Sequence, residues 1–154
     1  MANTPYMATI KWQRANAEFR TGKYSRAHTW AFDGGCEVPA SASPHIVPYP
    51  WSEAANVEPE EAFIAALASC HMLFFLSIAA GRGFQIDAYT DTAEGHMSKN
   101  AQGRIAITTA VLHPKTVFSG PVVPDAETIA AMHHEAHERC FIANSVTTDI
   151  SIDL

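Results

Sequence analysis

"VEPEEAFIAALASCHMLFFLSIAAGRG" runs from Val57 to Gly83, and its nineteen residues from Ala62 to Ala80 contain no Asp, Glu, Lys or Arg. That length falls just inside the range that raises the question of a membrane span. The content argues against one. The alanines, Ser69, Cys70, His71 and Ser77 reduce the gain from leaving water, and with Arg82 the sole basic residue close beyond, no strong positive flank sets an orientation. The edges are those of a soluble helix. Pro59 suits the first helical position, Glu60 and Glu61 sit on the positive end of the helix dipole, and Gly81 to Gly83 supply the C-cap. Between these signals Phe63, Ala66, Leu67, Cys70, Leu73 and Phe74 share one face, while Ala65, Ala68, Met72, Phe75 and Ala79 make the opposite face apolar as well. A helix apolar all round must be covered all round. One sheet covers one side and the chain offers one other long helix, so a second copy is the economical cover. The expectation is a homodimer with this helix near its centre.

The rest of the chain sets bounds. Its 154 residues, 47% hydrophobic and 17% charged with no linker-like segment, predict a single domain over residues 1–154 with a sizeable core. A net charge of −6 with scattered Lys and Arg offers no field for phosphates, which speaks against nucleic acid as a partner. "MANTPYMATIKWQ" lacks a basic region followed by an apolar one, so the sequence gives no reason to place the chain outside the cytoplasm. Three cysteines without a short repeated spacing argue against a secreted disulfide framework and against a CxxC metal cage.

Before the long helix, "ATIKWQ" (8–13) and "RAHTWAFD" (26–33) alternate like strands around an "FRTGK" turn region, and Gly34–Gly35 turns toward a short "EVPAS". Prolines at 44, 48, 50 and 59 mark an extended loop leading to the helix. After Gly83, "FQIDAYTDTAEG" and "RIAITTAVLHP" read as two antiparallel strands turning near Asn100–Gly103, the second with Ile105, Ile107, Thr109 and Val111 on one face. Asp125 caps a second helix, "AETIAAMHHEAHERC", with Ile129, Met132, His133, Ala136 and Cys140 on one stripe and Glu135 within reach of Arg139. "SVTTDISIDL" reads as a closing strand. Strands grouped around two helices make an α+β domain.

Three constellations bear on chemistry. Cys70 in a helix interior is by default a small inert hydrophobe, and Cys140 is one apolar contact on an amphipathic helix. The two matter together only if their helices pack side by side, which allows the Cα separation of roughly 5.5–6 Å that a disulfide needs. Cys36, beside Gly35, looks incidental. In "HHEAHERC", His133 and His137 lie four apart with Cys140 three further on, a zinc-type spacing; a polar stripe at a dimer interface is the competing reading. It is not an HExxH signature, because His134 follows His133. Arg26 opens a strand; it is either a solvated strand end or a fixed cation that holds a nearby cysteine as thiolate.

"PEEAFIAALASCH" (59–71) and "AHERCFIANS" (136–145) resemble the organic hydroperoxide resistance and osmotically inducible protein C (OsmC/Ohr) family of thiol peroxidases. The resemblance covers most of the chain. Its pattern of Pro-Glu opening a long helix, with the reactive cysteine ten residues after the Glu, matches Pro59, Glu60 and Cys70. Ala-His-x-x-Cys with Asn four residues later matches Ala136, His137, Cys140 and Asn144. The family's arginine precedes the long helix, and Arg26 is the best match, ahead of Arg20 and Arg14. Two departures stand out: His71 follows the cysteine where many relatives have Phe, and the Pro-rich loop with "YPWSE" replaces a Gly-rich one. The resemblance implies an OsmC-like intertwined α+β homodimer, antiparallel sheets around two long central helices, and no metal or flavin cofactor. It implies that the Cys70 thiolate attacks an organic hydroperoxide and becomes a sulfenic acid, which Cys140 resolves to a Cys70–Cys140 disulfide. Arg26 would stabilise the thiolate, Glu60 would position Arg26, and an external dithiol would reset the pair. The alternative is a binding protein of the same fold, either carrying a metal at His133, His137 and Cys140 or without turnover.

Overall fold

The computed structural model describes residues 4–154. The chain divides into two compact units, Met1–Ala62 and Phe63–Leu154.

In the first unit, β1 (Ala8–Lys11), β2 (His28–Phe32) and β3 (Glu37–Ala40) form an antiparallel meander in that order. Trp30 sits at its centre, opposite Ile10 on one side and Val38 on the other. A single 3-10 turn, Phe19–Thr21, lies in the β1–β2 connection and ends at Gly22, whose φ of 76° is left-handed backbone that glycine adopts without strain. The proline-rich loop is not the extended segment expected but a series of turns, with Val47 N–H bonded to Ser43 O at 2.9 Å, Trp51 N–H to Pro48 O at 3.0 Å and Asn56 N–H to Glu53 O at 3.1 Å, and it is tied to the sheet. The Arg26 N–H donates to Trp51 O at 2.9 Å, Ser41 N–H to Val57 O at 3.0 Å, and Glu53 N–H to the buried Ser41 hydroxyl at 2.9 Å.

The long helix, α1, spans Pro59–Gly81, the bounds its proline, acidic first turn and glycines dictate. By length and composition it could cross a bilayer. Here it buries Leu67, His71, Phe75, Ile78 and Ala79, one stripe at helical spacing. Ala65, Ala66, Ser69 and Leu73 on another face are exposed, Leu73 to 61%.

The strands after α1 depart from the expected pair. There are four: β4 (Gln85–Asp91), β5 (Glu94–Lys99), β6 (Ile105–Leu112) and β7 (Pro114–Ser119). "FQIDAYTDTAEG" breaks between Asp91 and Glu94, so β4 pairs with β7, while β5 and β6 form the hairpin that turns at Asn100–Gly103. The closing strand β8 is short, Asp149–Ile152, and pairs parallel to β6. A register shift at His96/Met97 interrupts the alternation of β6, so its fully buried residues are Ala110 and Leu112 and not the expected odd-numbered set. Gly95 on β5 lets α1 approach closely: a Cβ there would lie 2.5 Å from the Ile64 side chain.

The second long helix, α2 (Ala126–Arg139), starts where expected, with the Asp125 carboxylate accepting from Thr128 N–H at 2.8 Å. Met132, His133, Ala136 and Cys140 are buried on its stripe. Glu135 accepts from Arg139 at 3.2 Å and from Arg82 at 2.7 Å, which links the ends of the two helices.

Candidate active site

Cys140 is the C-cap of α2, its N–H bonded to His137 O at 3.2 Å. The next residues turn sharply: Ala143 N–H donates to Cys140 Sγ at 3.4 Å, and the Asn144 side chain donates to Glu138 O at 3.0 Å. The Cys140 side chain is 1% exposed and packs with Leu67 and Ala110; half-buried Cys70 packs against the same cluster. The two cysteines belong to one packed cluster. Both are free. Burial, opposed by the Ala143 N–H and reinforced by Cys70, pushes the Cys140 thiol up to about 11. Cys140 is therefore a protonated thiol at neutral pH, and Cys70 is the member of the pair that solvent reaches. Phe74, one turn beyond Cys70, is flanked by the Phe141 ring at 5.1 Å and the Arg139 guanidinium at 5.4 Å.

Sequence reasoning missed the polar pair in this helix seam. His71 Nε2 and His133 Nδ1 lie 2.9 Å apart with parallel rings, and the His133 ring stacks on Phe75 at 3.9 Å. His71 Nδ1 is buried without a partner. Burial pushes both imidazoles down to about 4, with a smaller contribution from His137 on His71 and from His71 on His133. The zinc-type reading fails here: His133 is turned to His71, and among the described residues no three His, Cys, Asp or Glu side chains are grouped to hold a metal. The available signal was the placement of His71 four residues from Leu67 and from Phe75, on one stripe.

Neutral buried imidazoles have a cost in acid. The unfolded chain takes up protons near pH 6.5, whereas the folded pair resists until about 4, so stability is complete above 6.5 and falls as pH drops toward 4. A shift of this size corresponds to about 3 kcal/mol for one imidazole. Urea midpoints at pH 7 and 4.5 should differ markedly, and His133→Phe should flatten the dependence. An equally steep fall in the variant would mean that other groups control acid unfolding.

In the first unit, Arg26 Nη1 donates to the carbonyls of Gly22 and Tyr24, both at 2.6 Å, and the guanidinium lies 3.7 Å from the Tyr24 ring centre. No carboxylate pairs with it among the described residues. Glu60 forms no ion pair with it, and Glu60 Oε2 is a buried oxygen without a partner. Arg14 is exposed, bonded to Ala17 O at 2.8 Å, and Arg20 is exposed in the 3-10 turn.

The sequence from 52 to 154 matches the family model for OsmC-like proteins. The chain belongs to the OsmC-like family. A solved OsmC-like protein of unknown function from Vibrio cholerae O1 biovar eltor is 52% identical, covers 97% of this chain and 98% of its own, and superposes with a TM-score of 0.95. Two distant structures show the same fold. The organic hydroperoxide resistance protein OsmC from Legionella pneumophila is 17% identical over 100% of both chains, TM-score 0.68. The organic hydroperoxide resistance protein OhrB of Bacillus subtilis is 20% identical over 99% of both, TM-score 0.65. No curated protein matches the sequence.

Proposed function

We propose that this protein is a cysteine-based peroxidase that reduces organic hydroperoxides to alcohols. The observation that carries the proposal is the thiol pair: a half-buried Cys70 beside a buried, protonated Cys140. In the first step the Cys70 thiolate attacks the terminal peroxide oxygen, the O–O bond breaks, and the alkoxide takes a proton and leaves as alcohol, with Cys70 now a sulfenic acid. In the second, Cys140 sulfur attacks Cys70 sulfur; the hydroxyl leaves with the Cys140 proton as water and a disulfide remains. An external dithiol then reduces the disulfide by two exchanges and becomes oxidised itself.

The reading assigns Arg26 as the cation that favours the thiolate and the charge developing on the peroxide, and Glu60 as its positioning residue. What supports Arg26 is its hold by two neutral carbonyls, with no carboxylate paired to it among the described residues. The protein works in this proposal as a soluble, cytoplasmic homodimer of one OsmC-like domain, supported by the exposed Ala65, Ala66, Ser69 and Leu73 along an apolar helix. Mass spectrometry after one equivalent of cumene hydroperoxide provides the test. The expected product is a mass loss of two hydrogens, with Cys70 and Cys140 peptides linked and Cys36 still alkylated. A protein whose thiols all survive excess peroxide would overturn the reading.

A further inference from the structure

His71 and His133 are buried side chains, 1% and 2% exposed, that the thiol chemistry leaves unused. Their facing ring nitrogens lie 2.9 Å apart, between α1 and α2 and within the Phe63–Leu154 unit. Around them the seam is apolar, formed by Phe75, Ile78, Ala79, Met132 and Ala136. Apolar packing is non-directional and tolerates small slides and rotations of one helix on the other, whereas a hydrogen bond fixes both distance and direction. The tautomer follows from the surroundings. His71 Nδ1 is buried without a partner. A proton there would be a buried donor with no acceptor, the costlier kind of orphan, so the proton of His71 lies on Nε2 and is donated to His133 Nδ1. The bond is close to both thiols in the chain. Cys70 adjoins His71 on α1, and Cys140 caps α2 seven residues after His133, about 10 Å along the axis. A turn of α2 by roughly 10° about His133 would carry Cys140 by about 2 Å, most of the width of the roughly 4.4–6.8 Å window of Cα separations that a disulfide accepts.

We infer that His71 and His133 are positioning residues: their hydrogen bond locks the register of α1 on α2 and so holds Cys140 within bonding distance of Cys70. Its use in turnover, where Cys140 sulfur displaces the hydroxyl from Cys70, rests on the peroxidase reading; the lock itself is measured without peroxide. In a glutathione redox buffer the two thiols pass two electrons and two protons to glutathione disulfide, which becomes two glutathione thiols. The position of that equilibrium measures how well the fold holds Cys70 and Cys140 together. His71→Leu keeps a side chain of similar volume without the donor and should weaken disulfide formation about tenfold, the upper end of what one hydrogen bond supports. His71→Gln keeps a donor at the Nε2 position and His133→Asn an acceptor at the Nδ1 position, so each should stay within about twofold of the wild type. Ile78→Val trims the same seam without touching the bond and should leave the equilibrium unmoved, which separates register from general packing. All are compared at pH 7 with native circular dichroism. A folded His71→Leu protein with the wild-type equilibrium, or an equal loss in His71→Gln, overturns the inference. The wild type alone also tests it. The bonded imidazole proton should give a slowly exchanging NMR signal on His71 Nε2, and its absence overturns the lock even if no variant folds. A weakened equilibrium in His71→Leu beside a wild type that consumes no cumene hydroperoxide upholds the lock and refutes the peroxidase reading.

Discussion

Replacing Cys70 with serine should reduce hydroperoxide turnover to background, because the proposed reaction then lacks the solvent-reachable sulfur of the thiol pair. Cys140→Ser behaves differently. It should consume one equivalent of peroxide per chain and stop at the Cys70 sulfenic acid, since the proposed resolving thiol is gone. The asymmetry follows from environment. Cys140 is buried and pushed up to about 11 although Ala143 N–H donates to its sulfur, so burial holds it as a thiol until an electrophilic sulfur forms beside it. Dimedone trapping in rapid-quench samples measures the difference, with a stoichiometric adduct at Cys70 in the Cys140→Ser protein and none in the Cys70→Ser protein. Equal single-turnover consumption by the Cys70→Ser protein would refute the assignment of Cys70.

Local signals made the helices legible. Pro59, the acidic pair and the terminal glycines bound α1, Asp125 bounds α2, and the stripe from Met132 to Cys140 is one periodic pattern. Those two helices carry both thiols, but helix signals alone left open whether the helices pack together, and the pairing of Cys70 with Cys140 was implied only by the family resemblance. The sheet was less legible because its pairing is not local. "PKTVFS" begins with proline, carries a lysine and pairs with β4 across the entire β5–β6 hairpin, so nothing in its own composition announces a strand. The register shift in β5–β6 moves the buried positions to Ala110 and Leu112, which simple alternation cannot foresee. The His71–His133 bond joins residues 62 apart, and each imidazole alone reads as an ordinary core or surface histidine. Arg26 could be singled out as a cation, but the carbonyls that hold it belong to a turn whose geometry depends on Gly22.

Mixed dimers give the sharpest result expected for Glu60. Glu60 and Cys70 lie on the single unbroken helix Pro59–Gly81, ten residues apart, which at 1.5 Å per residue is about 15 Å along the axis. Two side chains pointing at one peroxide cannot bridge that distance within one chain, and α1 has no break that would shorten it. If Glu60 serves the thiol site, it serves the site of the partner subunit. Its buried, unpartnered Oε2 is the atom such an arrangement would satisfy. A Glu60→Ala homodimer should lose about 10²-fold in kcat/KM, the size expected for a misplaced charge-stabilising group, and a Cys70→Ser homodimer should be inactive. Their heterodimer, purified with two different tags, contains one site with Cys70 from one chain and Glu60 from the other, both intact. It should recover about half of the wild-type rate per dimer, since one of two sites is whole. The recovery must also require an equal mixture, because each parent homodimer lacks one of the two groups at both sites. A heterodimer no faster than the Glu60→Ala homodimer would confine Glu60 to its own chain, as a carboxylate stabilising the first turn of α1.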